Sequence, residues 1–242
     1  MKKNVILSVL FLLMVSFTYV VGVKSESCLL DSPVKKILYT ISPAGIAEFS
    51  DLGIVELCGQ KVRLHALKTR IFRFQDTEMI YSDVQTLLPI RIERDVVRWL
   101  GKERIVEEYD QENFTLTIRK FKGSKQVHES VIKRDGPINN AVLMLYDLRT
   151  IPELEIGVGF KTNLPGEFEL KLESIDQVKI RADTFEAYHF TSVPDTFETW
   201  ISKDELRRPL KIILRIGVGY TLVLKEYLGE SDLKVLTKLN ER

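Results

Sequence analysis

The chain has 242 residues, 45% of them hydrophobic, with 35 basic and 34 acidic side chains and a formal net charge of +1. That apolar content supports a sizeable core and excludes a wholly disordered chain. The balanced charge excludes a broad electrostatic field that would favour phosphate backbones or anionic lipid, so no nucleic-acid partner is expected.

Lys2 and Lys3 precede an uncharged apolar stretch from Val5 to Val23, after which Lys24, Ser25, Glu26 and Ser27 turn abruptly polar. That order describes a secretory signal. Residues 1–25 are expected to be a signal peptide cleaved after Ser25, which places the protein in the periplasm or cell envelope. The alternative is an inner-membrane anchor formed by residues 5–23, a tract long enough to span a bilayer. Either way, membrane contact is expected only through this segment or through a ligand. Cys28 follows Ser25-Glu26-Ser27, a charged context that speaks against lipidation. Cys28 and Cys58 form an even count in an oxidising compartment and are a candidate disulfide, against the alternative of two unrelated thiols.

From residue 33 to 228 a period of two dominates, the mark of strands half-buried in a sheet. Ile37, Tyr39 and Ile41 alternate first, then Val62, Leu64 and Ala66, then Phe114, Leu116 and Ile118, then Phe168, Leu170 and Leu172. Turn formers separate these runs at Ser42-Pro43-Ala44-Gly45, Leu100-Gly101-Lys102, Lys122-Gly123-Ser124, Leu164-Pro165-Gly166 and Ile216-Gly217-Val218-Gly219. Such spacing suits antiparallel hairpins, whereas a parallel sheet needs a helical stretch between successive strands.

One central helix is expected after Gly136-Pro137, capped by Asn139 or Asn140, carrying Val142, Leu143, Leu145, Tyr146 and Leu148, and ended by Pro152. A short C-terminal helical tail is expected over residues 229–242, with Leu233, Leu236 and Leu239 on one side and Ser231 as cap. No repeat or linker divides the rest, so a single β-rich domain over 33–228 is expected: mainly β, an antiparallel curved sheet with the central helix packed on it.

Chemistry is sparse. His65, His128 and His189 have no metal-ligand spacing, and the first and last read as sheet residues. No serine stands in a nucleophile elbow, and neither cysteine has a histidine beside it to act as base. Gly157 with Gly159, and Gly217 with Gly219, lack the third glycine or lysine of a phosphate cradle and read as strand bends or bulges. Glu103, Glu107, Glu108, Asp110 and Glu112 read as a solvated face. No catalytic, cofactor-binding or metal-binding residue is nominated, and no cofactor is expected.

The most individual segment runs from Trp200 to Ile212. Trp200 and Ile201 end one strand, Ser202 and Asp204 are placed to bond local backbone, and Pro209 restarts an extended run. Arg207 or Arg208 would either bind an anion or pair with Asp204.

With Trp200, Ser202, Asp204, Arg208, Pro209 and Lys211, followed by Gly219 and Leu222-Val223-Leu224, the chain resembles the bacterial exported-protein family catalogued as domain of unknown function 3108. Tyr39 to Gly45, Leu145-Tyr146-Asp147-Leu148-Arg149 and Gly157 support the likeness, while the stretch from Val158 to Asn163 departs from it. The resemblance implies an envelope-exported antiparallel domain, similar in broad shape to the half-barrels that carry lipoproteins between membranes. It implies no activity, and the six motif residues are expected to be structural.

Export, β-rich patterning and the lack of catalytic groups together suggest a non-catalytic periplasmic module that binds a lipid, an acyl chain or a lipidated partner. That expectation requires a sheet interior not filled by its own side chains. The alternatives are a scaffold that meets an envelope protein and, further off, a hydrolase of envelope glycans using two carboxylates in one cleft.

Overall fold

The computed structural model describes residues 34–229, apart from positions 152, 166 and 216–218. The expected signal peptide, Cys28 and, beyond Gly229, the expected C-terminal helix lie outside the described residues.

Among the described residues fourteen strands and one helix follow one another. The first eight strands are β1 (Val34–Ser42), β2 (Gly45–Leu57), β3 (Gln60–Ile71), β4 (Phe74–Asp83), β5 (Pro89–Arg98), β6 (Gly101–Asp110), β7 (Thr115–Lys122) and β8 (Lys125–Lys133). Helix α1 (Ala141–Thr150) precedes β9 (Gly159–Asn163), β10 (Glu167–Ile180), β11 (Asp183–Val193), β12 (Phe197–Ser202), β13 (Pro209–Leu214) and β14 (Tyr220–Gly229). All strands join one antiparallel sheet in the order β8-β7-β6-β5-β4-β3-β2-β1-β14-β13-β12-β11-β10-β9. Each half is a meander. The two meet where β1 pairs with β14, which sets Tyr39 opposite Leu224 and Ile41 opposite Leu222. β8 and β9 are the edge strands, with Ile138 making one parallel bridge to Asn163 of β9, and the sheet is curved and unclosed, as expected from the sequence.

Local chemistry explains the turns. Gly45 opens β2 where an added Cβ would stand 2.6 Å from the Arg70 carbonyl oxygen, so only glycine lets β2 and β3 pair so closely there. Gly53, with φ of 81°, forms a bulge in β2 that is held by its N–H donating to the Asp51 carboxylate at 3.0 Å. One expectation needs correcting: Phe114 is not a member of the β7 alternation. It stands at φ 52° in the turn before β7, because Asp110 accepts from the N–H groups of Glu112 and Asn113 at 3.1 and 2.9 Å and closes a tight loop there.

The register assigns the faces. Phe49 pairs with Leu67, and Asp51 with His65, so the odd-numbered residues of β3 share the inner face with Ile37, Tyr39 and Phe49. Val62, Leu64 and Ala66, though buried, therefore belong to the opposite face. Beyond them on that outer face a ladder of charges crosses the strands, with Arg91 donating to Glu108 at 2.8 Å and Arg119 to Glu129 at 2.8 Å.

Helix α1 begins as the sequence indicates. Asn140 is the cap, its side chain accepting from Val142 N at 2.8 Å and Leu143 N at 3.3 Å. Leu143, Met144 and Leu148 are buried, and Val142, Leu145 and Tyr146 pack around them on the concave face of the sheet. Its two ends are tied to opposite halves of the sheet. Gln111 donates to the carbonyls of Pro89 and Ile138 at 2.8 Å each, fixing the entry near the β4–β5 and β6–β7 turns. Arg149 donates to Leu206 O at 3.1 Å and to the Tyr227 hydroxyl at 2.8 Å, fixing the exit near the β12–β13 turn. Alternate turns of an up-and-down sheet share an end, so the β4–β5, β6–β7 and β12–β13 turns beside the ends of α1 lie at one end of the sheet, and the β3–β4 and β5–β6 turns at the other.

Candidate functional site

Between α1 and the concave face lies a cavity of about 490 Å³. The sheet interior is therefore not filled by its own side chains, which is the condition set by the binding expectation. Ile37, Phe49, Leu67, Phe197, Ile212 and Leu222 line it from the sheet, and Val142, Leu145 and Tyr146 from the helix. A volume of this order lies within the roughly 300–1,000 Å³ of small-ligand sites, and such sites combine apolar walls with a few placed polar groups.

The two charged groups of the lining lie together. Glu78 of β4 and Arg94 of β5 both line the cavity and pair across the strands, with Arg94 Nε 3.3 Å from Glu78 Oε1. Arg94 also binds Asp76, whose side chain is buried and whose Oδ1 has no hydrogen-bond partner. Burial raises Glu78 to about 7, against the lowering pull of Arg94 and with the help of Asp76 and Glu107. Burial opposes the charge on Arg94, but Glu78, Asp76 and Glu107 together hold its pKa above the usual arginine value. The lining therefore presents one permanent cation, a carboxyl that titrates near neutrality, and the Thr69 and Tyr220 side chains.

Glu107 departs from the solvated face expected of its charge run. It pairs with Ile92 and Ile118, on the inner side, and accepts a 2.7 Å hydrogen bond from the Tyr109 hydroxyl. Strand alternation alone carries it inward, between Val106 and Glu108 on the outer side. Of the carboxylates Asp76, Glu78 and Glu107, Glu78 alone lines the cavity.

A second polar group lies under the apolar wall. Arg63 and Asp51 form an ion pair whose side chains are 4% and 0% exposed. Burial works against the Asp51 charge, yet the bonds from Arg63 and the Gly53 N–H hold it below the usual carboxylate range. His65, beside them, packs its ring against Phe49 and Tyr146 at 5.5 and 5.4 Å. Neither of its ring nitrogens has a hydrogen-bond partner, and burial lowers it to about 4, so it is neutral near pH 7. As a buried sheet residue it agrees with the sequence, whereas its neighbourhood of charge was not visible there.

The segment singled out in the sequence sits elsewhere. Trp200 alternates with the inward Thr199 and Ile201 and so lies on the outer face. It stacks on His189 at 4.2 Å and 7°, carries Lys211 Nζ 4.5 Å from its ring centroid, and donates Nε1 to Asp176 at 2.9 Å. Ser202 donates to Asp204 Oδ1 at 2.8 Å and accepts from Arg208 N at 2.8 Å, and Arg208 pairs with Asp204. Arg207 lies over the Tyr188 ring at 4.7 Å. Pro209 is the one motif residue that also lines the cavity. Cys58 is exposed in the β2–β3 turn, and its proposed partner Cys28 falls outside the described residues. Among the described residues no group of three or more His, Cys, Asp or Glu side chains could hold a metal ion, and no helix is long and apolar enough to cross a membrane.

No curated protein matches the chain. Among solved structures it is similar to a beta-barrel-like protein of domain of unknown function DUF1849 from Brucella abortus, at 7% identity and a TM-score of 0.49, over 81% of this chain and 98% of that one. The family described as "Protein of unknown function (DUF3108)" matches residues 60–225, from the start of β3 into β14, and the chain belongs to that family.

Proposed function

We propose that this protein is an exported, non-catalytic binding module that holds a lipid or another single-chain amphiphile in the cavity between α1 and the concave sheet. The carrying observation is the cavity itself, about 490 Å³ of space with largely apolar walls between α1 and the sheet. Its amphipathic lining gives the ligand an orientation: the tail lies among Phe49, Leu67, Leu145 and Leu222, and the polar group meets Glu78 and Arg94. The signal-like residues 1–25 support export to the periplasm or envelope. A two-carboxylate hydrolase is disfavoured, since it needs two carboxylates facing one bound substrate and, among the described residues, only Glu78 lines the cavity.

Native mass spectrometry with organic extraction, on protein purified from the envelope fraction without detergent, tests the proposal. The expected result is a co-purifying or readily accepted acyl-bearing mass at one per chain. A protein that stays ligand-free when fatty acids and phospholipids are offered would overturn it and favour a scaffold that meets an envelope protein.

A further inference from the structure

We infer that the end of the sheet bearing the β3–β4 and β5–β6 turns is a docking surface for an anionic lipid bilayer. Large apolar side chains stand in water there: Phe72 is 83% exposed, Trp99 73% and Leu100 95%. Isolated exposed hydrophobics are ordinary, but these belong to two neighbouring turns that touch. The Arg73 guanidinium lies over the Trp99 ring at 4.0 Å and within 5.3 Å of the Phe72 centroid, joining both turns into one patch. Trp with flanking arginine is the chemistry that settles at a membrane interface, the ring at headgroup level and the cation toward phosphate.

Charge selects the occupant. The chain as a whole is balanced at +1, yet these turns and the neighbouring β7–β8 turn concentrate cations. Arg70, Arg73, Arg98, Lys102, Lys122 and Lys125 are all exposed, against Glu103 as the acid beside them. Lys and Arg close to an anionic surface add to interfacial binding, and an apolar tip adds insertion. The placement fits as well, because this end lies opposite the β4–β5, β6–β7 and β12–β13 turns that hold α1, on the side toward which Thr69 and Tyr220 line the cavity. Membrane contact is thus built into the domain, beyond the N-terminal tract and any ligand, and it does not depend on what the cavity holds.

The chain has two tryptophans, and Trp200 is 8% exposed, so Trp99 reports its own surroundings. The test uses the full chain with vesicles of phosphatidylcholine plus phosphatidylglycerol, or of phosphatidylcholine alone, whose acyl chains are brominated. The Trp99→Phe variant serves as baseline, so anchoring by residues 5–23 is not mistaken for insertion of the turns. The expected result is a blue-shifted and quenched Trp99 emission with the anionic vesicles. That quenching falls to baseline with phosphatidylcholine alone, in high salt, and in the combined Arg73→Gln, Lys102→Gln and Lys122→Gln variant. These are exposed positions, so the variant is expected to fold. Emission that is neither shifted nor quenched, or quenching that is equal without anionic lipid, would overturn the inference.

Discussion

Glu78 and Arg94 face each other across β4 and β5, 3.3 Å apart, on the wall of a cavity otherwise lined largely by apolar side chains. His65, two strands from Arg94 and paired with Ile80, is buried with both ring nitrogens unpartnered. These two groups bend the pH dependence of stability in opposite directions. Glu78 has a folded pKa of about 7 against 4.5 when free, so the folded state holds its proton more tightly. Its contribution is complete below pH 4.5 and is lost as the pH rises through 7. His65 has a folded pKa of about 4 against 6.5, so the unfolded state binds its proton more tightly, and stability is lost as the pH falls from 6.5 toward 4.

Measured against the wild type in urea unfolding, Glu78→Gln should gain stability as pH rises from 4.5 to 7, and His65→Phe should gain as pH falls from 6.5 to 4. Each difference is on the order of 2–3 kcal/mol at its limit. Parallel curves for wild type and Glu78→Gln would show that Glu78 keeps an ordinary pKa in the folded protein.

The outer-face motif is expected to be structural. The Ser202 hydroxyl is fully buried and serves both Asp204 and the Arg208 N–H, so Ser202→Ala orphans a backbone donor and should cost about 1–3 kcal/mol. Trp200→Phe keeps the stack on His189 but loses the bond to Asp176, and should cost about 1 kcal/mol. Neither change should alter uptake of a fluorescent fatty-acid analogue by the variant that remains folded. Loss of uptake at unchanged stability would give the motif a role in binding.

Much of this was legible in the sequence, and the remainder was hidden for a definable reason. Ile37, Tyr39 and Ile41 announce β1 because their inner side is apolar and their outer side polar, and Asn140 announces α1 because a capping side chain is a local device. Over β3 to β6 the pattern is mixed. Arg63, His65, Asp76, Glu78, Arg94 and Glu107 face inward while Val62, Leu64, Ala66 and Val106 face outward. Alternation reveals that a strand is present but not which side is the interior, and inward charges break the rule that would have decided it. The pairing of Glu78 with Arg94 depends on the register of two strands, and no spacing along one strand records that.

The backbone at Phe72 offers an independent check on the exposed turns. Its φ of 45° is in the left-handed region, which bulky side chains rarely adopt, and the ring is 83% exposed. Asparagine tolerates that conformation, so Phe72→Asn should raise stability by about 1 kcal/mol and the melting temperature by about 2–4 °C. A fall instead would mean that the Arg73 contact with the ring outweighs the backbone strain. A gain would show that phenylalanine occupies the turn for a reason other than folding.

The cavity itself can be filled or enlarged at Leu67, a partly buried residue of β3 that lines it between the apolar wall and Thr69. Leu67→Trp places extra volume where space already exists, so overpacking should be mild, within about 1–2 kcal/mol, while ligand uptake should fall at least about tenfold. Leu67→Ala removes buried methyl groups and should destabilise by about 2 kcal/mol while leaving room for ligand. The pair separates occupancy from stability, because a protein that merely needs a firm core should suffer more from alanine than from tryptophan. Displacement of a fluorescent fatty-acid analogue, followed beside urea unfolding for both variants, gives the readout. If the tryptophan variant binds as the wild type does, the ligand does not lie between α1 and the sheet.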